Sequence, residues 1–236
     1  MASSLAHLRQ DLKAHADPAR AAYLPQFFQA HKGGYGEGDR FLGVRVPDSR
    51  AIAKRFRDLS TQDLEDLVRS PLHEERQVGL FILVDRHRRA APHEKLGWAR
   101  SYLRLRKTIN NWDLIDTSAP HVLGPHLDEI GDTVLLRLAK SASVWDRRIS
   151  MLATQHEIHE RRFDRALRLA RLLLRDEHDL MHKAVGWMLR EIGERDGAVL
   201  RRFLDRHGPK MPRTMLRYAI EKLPSTERRA YLAKPH

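Results

Sequence analysis

The chain has 236 residues, 42% apolar and 31% charged, a balance that suits a folded protein and excludes an intrinsically disordered one. Its formal net charge of +12 favours an anionic partner, nucleic acid first and an acidic membrane surface second. The absence of cysteine excludes a disulfide scaffold, a cysteine nucleophile and a thiolate metal site, and it fits a reducing cytoplasm.

The opening stretch MASSLAHLRQDLKAHADP places Leu5, Leu8 and Leu12 on one face of an amphipathic helix and lacks a signal-peptide core. No apolar run anywhere approaches ~18 residues, so no membrane span is expected. After Asp17-Pro18 comes the one long irregular segment, HKGGYGEGDRFLG, residues 31–43. It lacks the Gly-Lys-Ser/Thr ending and the preceding strand of a nucleotide loop, and reads as a surface loop near a ligand. FLGVRVP holds the only strand-like alternation, but Pro47 followed by Asp48 reads better as the entry to a helix. Beside it, Arg45 and Arg50 are candidates for phosphate contact or for plain solvation. Leu64, Leu67 and Val68 share a further helical face. Ser70-Pro71, Ala91-Pro92, Ser143 before Val144, Met211-Pro212 and Pro224-Ser225 punctuate the rest. The expectation is an all-α chain of roughly a dozen helices with short joints, with Trp98 and Trp145 in its core.

Four segments resemble one another: EERQVGLFIL (74–83), VWDRRISMLA (144–153), MHKAVGWMLR (181–190) and MPRTMLRYAI (211–220). Arg76, Trp112, Arg148, Lys183 and Arg217 follow at spacings of 36, 36, 35 and 34 residues. A period near 35 with two helices per unit describes an α-solenoid of HEAT-like helical pairs, of the right-handed type. A helix pair of that size cannot bury a core alone, so the expected fold is a single domain over residues 1–236, one curved body with a basic concave groove. If the five positions are equivalent, the basic members track a phosphate backbone, and Leu80, Asp116, Leu152, Trp187 and Glu221 follow one turn later.

TINNWDLIDTSAPHVLG, residues 108–124, departs from the basic pattern. Asn110 or Asn111 is placed to cap a helix whose first turns hold Asp113 and Asp116 at the positive end of the dipole. Trp112 and Asp116, four apart, share a face, while Asp113 points elsewhere. A capped helix with Trp112 in the core accounts for the spacing. Charge supplies the other reading: a carboxylate in a groove for polyanions is costly unless a cation arrives there, and indole faces also attract cations.

NNWDLIDTSAP, VWDRRISML and HKAVGWMLRE resemble the signature segments of the AlkD-type DNA alkylpurine glycosylases, a HEAT-like-repeat family. The resemblance runs from DPARAAYLPQFF through FLGVRVPDSR to RTMLRYAIEKLP. It implies that Asp116 carries catalysis, that Trp112 and Trp187 are the groove tryptophans, and that Arg148, or its neighbour Arg147, grips DNA. Lys183, Arg190, Arg76 and Arg45 are further candidates for DNA contact. Phe27 stands where the family often has a tyrosine, so a hydroxyl is missing there, and the Gly-rich loop is longer than in the simplest members. The implied substrate is duplex DNA bearing an N3- or N7-alkylated purine. The resemblance also implies that the lesion stays largely stacked. No cofactor or metal is expected, and a solenoid of this length is expected to be a monomer, cytoplasmic and nucleoid-associated, with no obligate protein partner and no membrane contact.

Two other functions remain open on the sequence: a non-catalytic relative binding damaged or branched nucleic acid, and a protein-interaction scaffold. His156 and His159 in HEIHE fall one residue short of the zinc-protease spacing, and His178 with His182 makes a possible surface metal pair. The run RRFDRALRLARLLLRDE (161–177) is an amphipathic helix with a charged face.

Overall fold

The computed structural model describes residues 4–233; the first three residues of the opening stretch lie outside them. Among the described residues there are seventeen α-helices and no strand. The backbone divides into two compact units between Ser118 and Ala119, where the sequence reading has one domain.

The first unit holds α1 (Leu5–Ala14), α2 (Pro18–Phe27), α3 (Val46–Arg55), α4 (Thr61–Val68), α5 (His73–Arg89), α6 (Pro92–Leu105) and α7 (Trp112–Asp116). The second holds α8 (Ala119–Val122), α9 (Leu127–Ile130), α10 (Asp132–Ala139), α11 (Val144–Ala153), α12 (Gln155–His159), α13 (Asp164–Leu172), α14 (Asp179–Arg195), α15 (Gly197–His207), α16 (Arg213–Ala219) and α17 (Ser225–Ala233). The all-helical expectation holds, and helices packed against their sequence neighbours fit a solenoid of helical repeats. The count exceeds a dozen because the stretch around Pro120, Gly124 and Pro125 is broken into pieces of three to five residues.

Local chemistry explains the starts. The Asp17 carboxylate accepts from the Arg20 amide at 3.0 Å, with Pro18 supplying the first helical φ of α2. Pro47 does the same for α3, so FLGVRVP is a helix entry; nearby, a single bridge pairs Arg40 with Leu72. In the first unit α5 is the central helix, packed by α1, α3, α4, α6 and α7. In the second, α14 takes that place, packed by α11, α12, α13, α15 and α16. No helix among the described residues is long and apolar enough to cross a membrane.

The loop between α2 and α3 is pinned rather than loose. Gly43 has φ +85°, its amide donates to Glu74 Oε1 at 2.8 Å, and a Cβ would stand 2.1 Å from the Asp17 carbonyl oxygen. Gly43→Ala is therefore expected to cost about 2–3 kcal/mol, read as a lower urea midpoint at unchanged m.

The five periodic positions all fall on helices, but they do not share one exposed face. Arg76 and Arg148 are buried, and so are Leu80 and Leu152 one turn on; of the five only Arg217 is exposed. The period located helices, and the direction of each side chain was settled by local partners. Trp98 and Trp145, expected in the core, are half-buried. Trp98 has the Arg86 guanidinium 5.7 Å from its ring centre.

Candidate active site

α5 opens on five consecutive polar residues, His73 to Gln77, and all five are buried. That is tolerable only if each finds a partner. Glu75 pairs with Arg9 of α1 at 3.0 Å. Glu74 accepts from the amides of Leu42 and Gly43 at 2.9 and 2.8 Å. Arg76 pairs with Asp39 and donates to the Ser70 carbonyl at 2.8 Å. Arg76 was expected to face phosphate; its charge is instead satisfied inside the protein by Asp39.

His73 is the hinge of this network. Its Nδ1 lies 2.9 Å from Asp39 Oδ2 and its Nε2 2.9 Å from Asp113 Oδ2. Burial pulls the imidazole pKa down, but the two carboxylates outweigh it and raise the value to about 9, so the ring is an imidazolium at neutral pH. For Asp39 burial works upward, and the bonds and charges of His73 and Arg76 prevail, holding the carboxyl below its ordinary range. Gln77 adds a bond to Asp113 at 3.1 Å. The Gly-rich loop, α5 and the start of α7 are thus tied by alternating charges.

Asn111, rather than Asn110, caps α7. Its oxygen accepts from the Trp112 amide at 2.9 Å while its amide nitrogen donates to Asp39 at 3.1 Å. Asp113 does point elsewhere, onto His73. The dipole expectation holds only for Asp113: α7 has five residues, so Asp116 stands at its carboxyl end, where the helix dipole no longer favours an anion.

Around His73 lies an aromatic cluster. Phe28 stacks on Phe41 with ring centres 5.3 Å apart, and both rings flank the imidazolium at 4.7 and 5.1 Å. Trp112 joins this cluster, 5.6 Å from Phe28 and 6.0 Å from Phe27. It is half-buried, so part of the indole meets solvent, and Phe27 and Tyr23 beyond it are 48% and 57% exposed. Asp116 is likewise half-buried. Its charge reaches the buried Tyr102 phenol, which donates to or accepts from Ser118 at 3.0 Å. Burial, with Asp116 adding to it, pushes that phenol pKa up and keeps Tyr102 neutral. The first unit therefore presents a carboxylate and an indole on a five-residue helix whose base is anchored by a buried ion network.

Arg45 is exposed at the start of α3, and Arg50 lies over the Phe81 ring at 4.2 Å. In the second unit the Trp187 indole donates to Glu191 at 2.9 Å. Arg148 is buried and donates to the Leu180 carbonyl at 2.7 Å. Arg147 pairs with Asp176 at 2.6 Å, Lys183 with Asp179 at 2.8 Å, and Arg190 with Glu221. His156 and His159 pair with Glu160 and Glu191 at 3.3 and 3.5 Å. His178 caps α14, and no group of three or more metal-ligating side chains occurs among the described residues.

Sequence reasoning missed His73 and Asp39. The signal was present: five polar residues in a row leading into the apolar run VGLFILV demand buried partners, and the acid-containing glycine loop was one available source.

The chain was compared with known proteins. The model of a family described as DNA alkylation repair enzyme matches residues 8–223. Among solved structures, a predicted DNA alkylation repair enzyme from Enterococcus faecalis superposes with a TM-score of 0.69 at 15% identity, covering 89% of this chain and 98% of that one, a likeness of fold. Comparison with curated proteins gave no match. With its matched segment spanning nearly every helix described above, the chain belongs to the DNA alkylation repair enzyme family.

Proposed function

We propose that the protein is a monofunctional N-glycosylase that hydrolyses the glycosidic bond of cationic N3- or N7-alkylpurines in duplex DNA. The observation that carries this reading is Asp116: a partly exposed carboxylate one turn from the partly exposed Trp112, in a repair-family protein of net charge +12. An anion on such a surface opposes phosphate binding, and it is useful only where a positive charge develops.

An alkylated purine is already cationic, so it departs with the bonding electron pair as a neutral base and needs little acid assistance. The sugar left behind has oxocarbenium character at C1′. Asp116 stabilises that charge and orients the water whose oxygen bonds to C1′; the water proton passes to Asp116 or to solvent. Trp112 adds the negative face of its ring. No lysine is assigned to Schiff-base chemistry, so the strand is left intact.

Incubating methylated duplex DNA with the protein and measuring free 7-methylguanine and 3-methyladenine by chromatography tests the reading. Release of base without strand cleavage is expected. Tight binding with no free base after hours would replace it with the non-catalytic DNA-binding alternative, for which the missing hydroxyl at Phe27 is the motivating feature.

A further inference from the structure

The charged helix RRFDRALRLARLLLRDE has no part in the reading above. In the second unit, α13 and the residues before it form one wall of a 920 Å³ cleft, and α15 forms the other. Seven arginines line it. Arg162, Arg165 and Arg168 are paired with Asp128, Asp132 and Glu157. Arg161, Arg171, Arg202 and Arg206 line the same cleft, are exposed, and have no ion pair among the described residues.

Two further observations set this cleft apart from ordinary solvated surface. Arg161 has φ +62°, a left-handed conformation that glycine or asparagine adopts with less strain. His207, tilted against Phe203 with ring centres 4.8 Å apart, has its pKa lowered by burial and then by Arg206, Arg171 and Lys210, so charges from both walls converge on one ring.

We propose that the α13–α15 cleft is a DNA-phosphate-binding surface, additional to the residues matched by the family segments. Guanidinium forks fit phosphate oxygens two at a time, and forks without ion pairs spread over α13, α15 and the turn before α13 suit a repeating polyanion better than one small anion. The exposed apolar side chain nearest by is Leu172, too little for insertion into a membrane. The family supplies the polyanion, DNA. The inference rests on that family substrate and not on glycosylase chemistry.

The test compares wild type with the quadruple variant R161Q/R171Q/R202Q/R206Q and the matching quadruple lysine variant. Binding to an undamaged duplex of about 40 base pairs is titrated over a range of salt. The glutamine variant is expected to bind at least about tenfold more weakly at low salt. Its plot of log affinity against log salt becomes shallower by about two to four, while the lysine variant keeps most of the slope. Base release from a short methylated duplex at saturating enzyme should stay within about twofold of wild type, because none of the four arginines is matched to the chemistry. An unchanged affinity and slope overturn the proposal, and so does a loss confined to polyglutamate or to phosphatidylglycerol vesicles. The expected slope difference between wild type and the glutamine variant, with no base released by wild type, ends the glycosylase reading and leaves this one standing.

Discussion

Asp116→Asn is expected to lower single-turnover release of 7-methylguanine by at least about a hundredfold, while affinity for the methylated duplex stays the same or tightens. The substitution keeps the volume and removes one negative charge. If that charge serves a transition state, its loss costs about 3 kcal/mol or more of barrier, the order seen when one preorganised electrostatic group is deleted from an active site. On the proposed reading, removing an anion near the phosphates does not weaken their binding, so the rate and affinity effects separate. Release within about threefold of wild type would show that Asp116 is a surface acid and that the Trp112 helix is only structural.

The second large effect belongs to His73. His73→Asn leaves Asp39 and Asp113 without the cation between them, and breaking a buried ion pair from one side costs about 3–5 kcal/mol. Wild type should also carry a pH signature that the variant lacks. The imidazole pKa is raised from 6.5 to about 9 in the folded protein, so its contribution is complete below pH 6.5. It falls away as pH rises through 9, by on the order of 3 kcal/mol in total. Asp39, with a lowered pKa, acts in the opposite sense: its contribution is present above its ordinary carboxylate range and is lost as pH falls. Urea unfolding followed by tryptophan fluorescence from pH 5 to 10 measures the His73 limb, the Asp39 limb lying at more acid pH. A wild-type midpoint that is flat from pH 6 to 10 would mean that His73 is neutral in the fold.

The two variants separate the group proposed to act from the buried network beneath it. Asp116 is half-buried and partly open to solvent, whereas His73 is sealed behind Phe28 and Phe41 and holds Asp113 at the start of α7. Asp116→Asn should leave the urea midpoint unchanged. His73→Asn should shift it strongly whatever it does to the rate.

Much of this protein was determined by its sequence alone. Helical apolar spacing, proline-marked starts and the absence of alternating runs make the chain all-α, because these are local preferences that each segment expresses by itself. The Trp112–Asp116 spacing and the cap at Asn110 or Asn111 were legible for the same reason, and they lie in segments that match the family. The destinations of the charges were not. Arg76, Arg147 and Arg190 look like phosphate ligands in a sequence, yet each is held by a carboxylate 29 to 37 residues away. His73 looks like one polar residue among many, yet it is clasped by Asp39 and Asp113 from 34 and 40 residues away. Only the tertiary structure decides such pairings. A charge is neutralised by whatever lies within a few ångströms in space, and one chain read in order carries no record of those distances.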